Sequence, residues 1–267
     1  MPIRASRRRK RLTRNDQVAH DVGPSPYSWR VWVQIPECGK RDCQASERTS
    51  NSATYASRLD ACRACRRGWV VVTYSTTITA ASLRVRESRL LADLLLEGVN
   101  EEQWRERVVA QNLLQMKSEH SVRKVAGVLR ARLEPMGSGL WRMVRDGDQV
   151  LATQACLAAA IKHSRLLGDF LDLVVRDQRA TFATELPAYV WSGYIQSCRS
   201  RDPDMPMWSE QTVERLRSSV FNMLAEAGYL KDSRGGALQN VYVDDQLSEY
   251  LRNRGETYVL RCLEVAE

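Results

Sequence analysis

The chain has 267 residues, of which 43% are hydrophobic and 27% charged, and its net charge is +8 at neutral pH. That length is enough for a full core in one to two domains, and the composition excludes fibrous and low-complexity classes. The most apolar windows, residues 90–96 and 155–161, fall far short of the ~20 apolar residues a bilayer demands, so no membrane partner is expected. The basic N-terminus is not followed by an apolar signal core, which predicts a cytoplasmic chain with reduced cysteines.

The charge is unevenly spread. Residues 1–70 carry 15 Lys plus Arg against 6 Asp plus Glu, and the remainder carries 25 against 26. Arg7-Arg8-Arg9-Lys10-Arg11 is a dense basic run, followed by residues rich in Ser, Thr, Arg, Pro and Gly with little periodicity. Residues 1–72 therefore read as a basic, weakly ordered extension able to hold phosphates without sequence preference. Within them Cys38 and Cys43 are separated by 18 intervening residues from the C-x-x-C of Cys62 and Cys65. This approaches a four-cysteine zinc set, but the first pair is loosely spaced and the surroundings lack strand pattern, so four unrelated thiols is the competing reading.

Residues 73–136 predict three short helices. Residues 82–97 place Leu83, Leu90, Leu91, Leu94 and Leu95 on one side, and Gly98 is a stop signal. Asn100-Glu101-Glu102-Gln103 has capping-box spacing, flanked by Val99 and Trp104 as a hydrophobic staple, for a helix to about residue 112. After a short loop comes a basic helix over residues 117–133, with Val122, Val125, Val128 or Leu129, and Leu133 on the inner face. Arg123, Lys124, Arg130 and Arg132 are assigned to its outer face, a Ser caps its start, and Pro135 marks its stop. The arrangement is helix-turn-helix-like, with the last helix as the reading helix. The competing reading of that basic face is a solvated surface.

Residues 137–185 read as a central helical scaffold. Gly137-Ser138-Gly139 is taken as a linker, and residues 140–144 as a short helix or turn. Residues 148–164 are apolar on most sides and predict a buried central helix in which Cys156 is a small core residue. His163 is taken as an end-capping or surface group. Residues 186–267 begin with an aromatic helix whose Tyr189, Trp191 and Tyr194 are assigned to the core, with stacking on bases as the competing reading. A second staple of Trp208 and Val213 around Ser209 opens a helix running to about residue 227. A short strand at 229–231, a turn at 232–236 and a returning strand at 238–243 complete a winged-helix-like module. Arg215, Arg217, Ser218 and Asn222 are predicted to face out, with Arg234 at the wing tip, although Glu210 and Glu214 on the same helix oppose a phosphate-facing role.

A family resemblance runs through this region. Residues 74–83, Glu87-Ser88-Arg89-Leu90-Leu91-Ala92-Asp93-Leu94-Leu95-Leu96-Glu97-Gly98, Asn112-Leu113-Leu114-Gln115 and residues 121–133 resemble the BrxA family of the BREX (bacteriophage exclusion) defence islands. The resemblance continues through Leu151-Ala152-Thr153-Gln154-Ala155, Asp169-Phe170, Trp208-Ser209-Glu210-Gln211-Thr212 and residues 224–230, covering about residues 73–250. It implies a small, mostly helical, non-enzymatic protein that binds double-stranded DNA and works beside other BREX proteins. Because it begins near Tyr74, an extension upstream of a mis-assigned start is an alternative reading of the first 72 residues.

No phosphate loop, H-E-x-x-H, nucleophile elbow or dinucleotide fingerprint is present, and three scattered histidines offer no triad. No cofactor and no small-molecule substrate are expected. The fold expectation is mainly α: a helical bundle with a helix-turn-helix-like and a winged-helix-like module and one small β-hairpin. The DNA-binding candidates are Lys117, Ser118, Ser121, Arg123, Lys124, Arg130, Arg132, Arg215, Arg217 and Arg234. Weak base specificity is expected, because the reading face has no Asn or Gln suited to adenine. The alternative function is a protein–protein adaptor, favoured by the near-neutral charge of residues 71–267.

Overall fold

A computed structural model describes residues 74–265 except Gly235. The basic run, the four cysteines Cys38, Cys43, Cys62 and Cys65, and the rest of residues 1–72 lie outside the described residues.

The described chain is mainly helical. A 3-10 turn, Thr77–Ala80, precedes α1 (Val85–Glu97), α2 (Glu101–Arg105, prolonged by a π-helical stretch Glu106–Ala110) and α3 (Glu119–Leu133). Then come α4 (Ser138–Asp146), α5 (Gln149–His163) and α6 (Arg165–Asp169), which continues through a π-helical stretch Phe170–Val175 into α7 (Arg176–Ala180). The C-terminal part holds α8 (Tyr189–Arg201), α9 (Glu210–Glu226), α10 (Asp245–Asn253) and α11 (Thr257–Leu263).

Side-chain caps set most starts. Asn100 and Gln103 close a reciprocal capping box on α2, and Ser118, Asp148, Ser209 and Asp244 accept backbone N–H groups at the starts of α3, α5, α9 and α10. The architecture centres on α5, where all residues from Leu151 to Ile161 are buried. A helix apolar all round must be enclosed on every side, and α1, α3, α4, α6, α10 and α11 all pack on it. The largest facing pair is α1 with α4. Buried apolar residues from Tyr74 to Val265 form one contiguous cluster, including an aromatic group in which Phe170 meets Trp191 and Tyr194 edge-on at 5.0 and 5.1 Å.

Buried polar groups tie distant segments together. The Asp169 carboxylate accepts from the Tyr74 and Tyr258 hydroxyls at 2.7 Å each and lies 2.8 Å from the Arg165 guanidinium. This joins the start of the described chain to α6 and α11. Arg89 donates to the carbonyls of Arg145, Gly147 and Asp148. It thereby satisfies the carbonyls left open at the end of α4.

Five expectations are corrected. Tyr189 does not join Trp191 and Tyr194 in the core: it is 68% exposed at the first turn of α8. Arg132 does not project outward: it is 3% exposed and donates 2.8 Å bonds to the carbonyls of Ala81 and Ser82. Those bonds, with Leu83 N–H donating to Glu226 at 3.0 Å, hold residues 81–83 out of the helix, so α1 starts at Val85 and not at Ser82. Gly137-Ser138-Gly139 is not a free linker, because α4 begins at Ser138. A β carbon on Gly139 would stand 2.3 Å from the Tyr250 ring of α10, so the glycine permits close packing there. The β-hairpin reduces to isolated antiparallel bridges, Leu230 with Leu238 and Glu185 with Ala237. The returning segment leaves the pair because the buried Gln154 side chain takes it: its amide donates to the Tyr242 carbonyl at 2.8 Å, and its oxygen accepts from Asp244 N–H at 2.9 Å.

Removing the Arg132 guanidinium strands two carbonyls. Arg132→Leu is expected to lower the unfolding free energy by roughly 3 kcal/mol in urea titration, whereas a loss below about 1 kcal/mol would place the side chain in solvent. Burial, and then the Arg132 charge, hold the His163 imidazole below its ordinary range. Acid therefore protonates His163 in the unfolded chain first, and its stabilising contribution, present above the unfolded value, is lost as pH falls. Between about pH 7.5 and pH 5.5, the urea midpoint of the wild type should fall more steeply than that of His163→Gln; equal slopes would contradict the shift.

Candidate nucleic-acid interface

α3 is anchored on one side and open on the other. Val122, Val125, Ala126, Leu129, Arg132 and Leu133 are buried, while Glu119, His120, Arg123, Lys124 and Gly127 are exposed. Ahead of it, Lys117 is exposed and lines an open groove of ≈ 1060 Å³ between α2, its π-helical stretch and the start of α3. Arg105, Arg107, Lys117 and Arg123 line this groove together with Glu102, Glu106 and Glu119.

The ten candidate residues fall into four environments. Lys117, Arg123, Lys124, Arg215 and Arg234 are exposed. Arg123 is paired on its own helix with Glu119, through an Nε bond of 3.0 Å. A pair this exposed is weak, so Arg123 can exchange its partner for a phosphate at little cost. Arg130 and Arg217 are half-buried and engaged. Arg130 bridges Glu134 and Glu101 at 2.6 and 2.8 Å beneath a cation–π contact with Trp104. Arg217 grips both oxygens of Glu214 at 3.0 Å and lies over Phe221. Arg132 is buried, as described. Ser118 and Ser121 are occupied in capping: the Ser118 hydroxyl accepts from Ser121 N–H at 3.3 Å and shares a 2.8 Å bond with its hydroxyl.

The free cations are thus fewer than composition suggests. Among the described residues, Lys117, Lys124 and Arg215 have no ion-pair partner within 4.0 Å. Lys117, Ser118 and Arg123 line the same groove, whereas Arg215 and Arg217 stand on α9, which packs mainly on the Thr77–Ala80 turn. Arg234 sits on the turn after α9, its backbone N–H bonded to Asp232 at 2.8 Å. Arg105, exposed on the groove wall, escaped sequence reading because the π-helical stretch that shapes the wall has no sequence signature. No group of three or more His, Cys, Asp or Glu side chains is placed to hold a metal among the described residues. No described helix is long and apolar enough to cross a membrane.

Comparison with known proteins places this arrangement in a family. A BrxA family profile matches residues 72–255. The chain is 47% identical over 193 residues to BREX protein BrxA of Paramagnetospirillum magneticum, covering 72% of this chain and 97% of that one. It is 31% identical over 182 residues to BREX protein BrxA of Escherichia coli, covering 68% and 85%. The crystal structure of an uncharacterized protein from Magnetospirillum magneticum superposes with a TM-score of 0.68 at 47% identity, over 73% of this chain and all of that one. The chain therefore belongs to the BrxA family of BREX phage-defence proteins.

Proposed function

We propose that the protein is a non-enzymatic, cytoplasmic accessory factor that binds double-stranded DNA and works beside other BREX proteins. The observation that carries this reading is the outer face of α3: a capped helix, fixed by its apolar side to α5, that presents Arg123 and Lys124 to solvent with Lys117 just ahead of its start. A rigid helix with a basic free face can lie along a duplex, its ammonium and guanidinium groups replacing the counterions of neighbouring phosphates. Arg215 and Arg234 are the secondary contacts in this proposal. Arg130 and Arg217 act as braces for the helices that bear them, and Arg132 contributes to stability alone. Base specificity is weak, because Glu119, His120, Arg123, Lys124 and Gly127 on the exposed face include no Asn or Gln to read adenine. The helix-turn-helix-like grouping of residues 73–136, the scaffold 137–185 and the winged-helix-like grouping 186–267 remain part of this proposal.

A second reading, an adaptor that docks other BREX proteins, is supported by the pairing of Arg123 and Arg130 with glutamates and by the exposed Phe182 and Met207. Salt separates the two, because phosphate contacts fade steeply with ionic strength and apolar docking does not.

The test is duplex binding by the fragment 73–267, titrated against salt beside Arg123→Glu/Lys124→Glu. The expected result is salt-sensitive binding, lost in the double variant or left with a log K versus log salt slope shallower by about two. If the full-length chain binds and the fragment does not, the affinity belongs to the basic extension and the adaptor reading takes over.

A further inference from the structure

Gly127 lies in the interior of α3, exposed, with a β carbon built there meeting no atom within 4 Å. Its backbone is ordinary right-handed helix, open to any L residue. Glycine weakens an exposed helix interior relative to alanine, and nothing in the described protein uses the space it leaves. Its neighbours one turn away along the helix are Arg123 and Lys124 on one side and Arg130 and Ala131 on the other. The missing side chain therefore opens a patch of bare backbone beside the exposed Arg123 and Lys124, while Arg130 on the other side is held by Glu134 and Glu101.

We propose that Gly127 is the point of closest approach between α3 and the DNA duplex. The absent side chain lets the helix backbone settle against the sugar–phosphate surface while Arg123 and Lys124 reach phosphates beside it. This rests on the DNA-binding reading above. Charge selects the occupant: a packing protein helix would need apolar flanks around the glycine, whereas a polyanion suits the unpaired Lys124 and the exposed, loosely paired Arg123 one turn before it.

The chain contains its own control. Gly193 in α8 is likewise interior to a helix, exposed, and free of any atom within 4 Å of a built β carbon. Its neighbours one turn away are Tyr189, Val190, Gln196 and Ser197, with no cation among them. Alanine at either position should strengthen its helix and raise Tm by about 2–4 °C. Only position 127 should then affect DNA.

The experiment measures duplex affinity and Tm in the full-length chain for Gly127→Ala, Gly127→Leu, Gly193→Ala, Gly193→Leu and Arg123→Glu/Lys124→Glu. Gly127→Leu should bind more weakly than the wild type by about five- to a hundredfold, as for an overfilled contact, while its Tm does not fall. Gly127→Ala should lose less, and both Gly193 variants should bind like the wild type. Wild-type affinity in Gly127→Leu beside a loss in Arg123→Glu/Lys124→Glu overturns the role of Gly127 and leaves α3 as the DNA-binding helix. Wild-type affinity in both overturns the inference and the reading beneath it.

Discussion

The burial of α5 is the constraint from which the rest of the structure follows. A helix hidden along its whole middle cannot exist until other helices surround it, so the elements before and after it share one core. α1 and α4 pair and lie against it, α3 covers another side, and α10 and α11 return from the far end of the chain to close it. α3 is thereby fixed without being enclosed. Its inner residues are committed to the core, and its outer face keeps a defined position that any macromolecular partner meets as a rigid surface.

Arginine has two roles here, and burial separates them. Arg132 and Arg89 end on backbone carbonyls that would otherwise be stranded, Arg132 at the entry to α1 and Arg89 at the exit of α4. Burial holds the Arg132 guanidinium down at about 10, still well above neutral pH, so it stays charged and its bonds charge-assisted. The same residue type on the outer surface forms loose pairs that compete with solvent, as Arg123 does with Glu119. A count of basic residues cannot distinguish the two, and it overstates the field that residues 74–265 present to a polyanion. Any DNA affinity of this part of the chain must arise from a local patch.

Much of the fold was legible in the sequence. Asn100 with Gln103, and Ser209, are local signals read by the first turn of the helix they begin, and structure and pattern agree on them. The all-round apolar character of residues 151–161 marked the central helix directly. What escaped was set by partners distant in sequence. Arg132 falls in register with Val125 and Leu129, but its charge assigned it to the outer face, and only carbonyls about 50 residues away satisfy it inside. Gly139 resembled a linker residue until the Tyr250 ring explained its lack of a side chain. The returning strand had suitable composition but lost its pairing to Gln154. At the candidate interface the cations could be named from sequence, whereas which were free required the positions of Glu101, Glu134 and Glu214.

Where a duplex rests on this surface is reported directly by the lysines. The chain has only six, Lys10, Lys40, Lys117, Lys124, Lys162 and Lys231, so amine acylation with and without duplex DNA, read by mass spectrometry, maps the contact at single-residue level. With the duplex on α3, DNA shields Lys117 and Lys124 while Lys162 and Lys231 continue to react at their free rates. Unchanged reactivity of Lys117 and Lys124 in a DNA-saturated sample would contradict it, and shielding confined to Lys10 and Lys40 would assign the binding to the N-terminal extension.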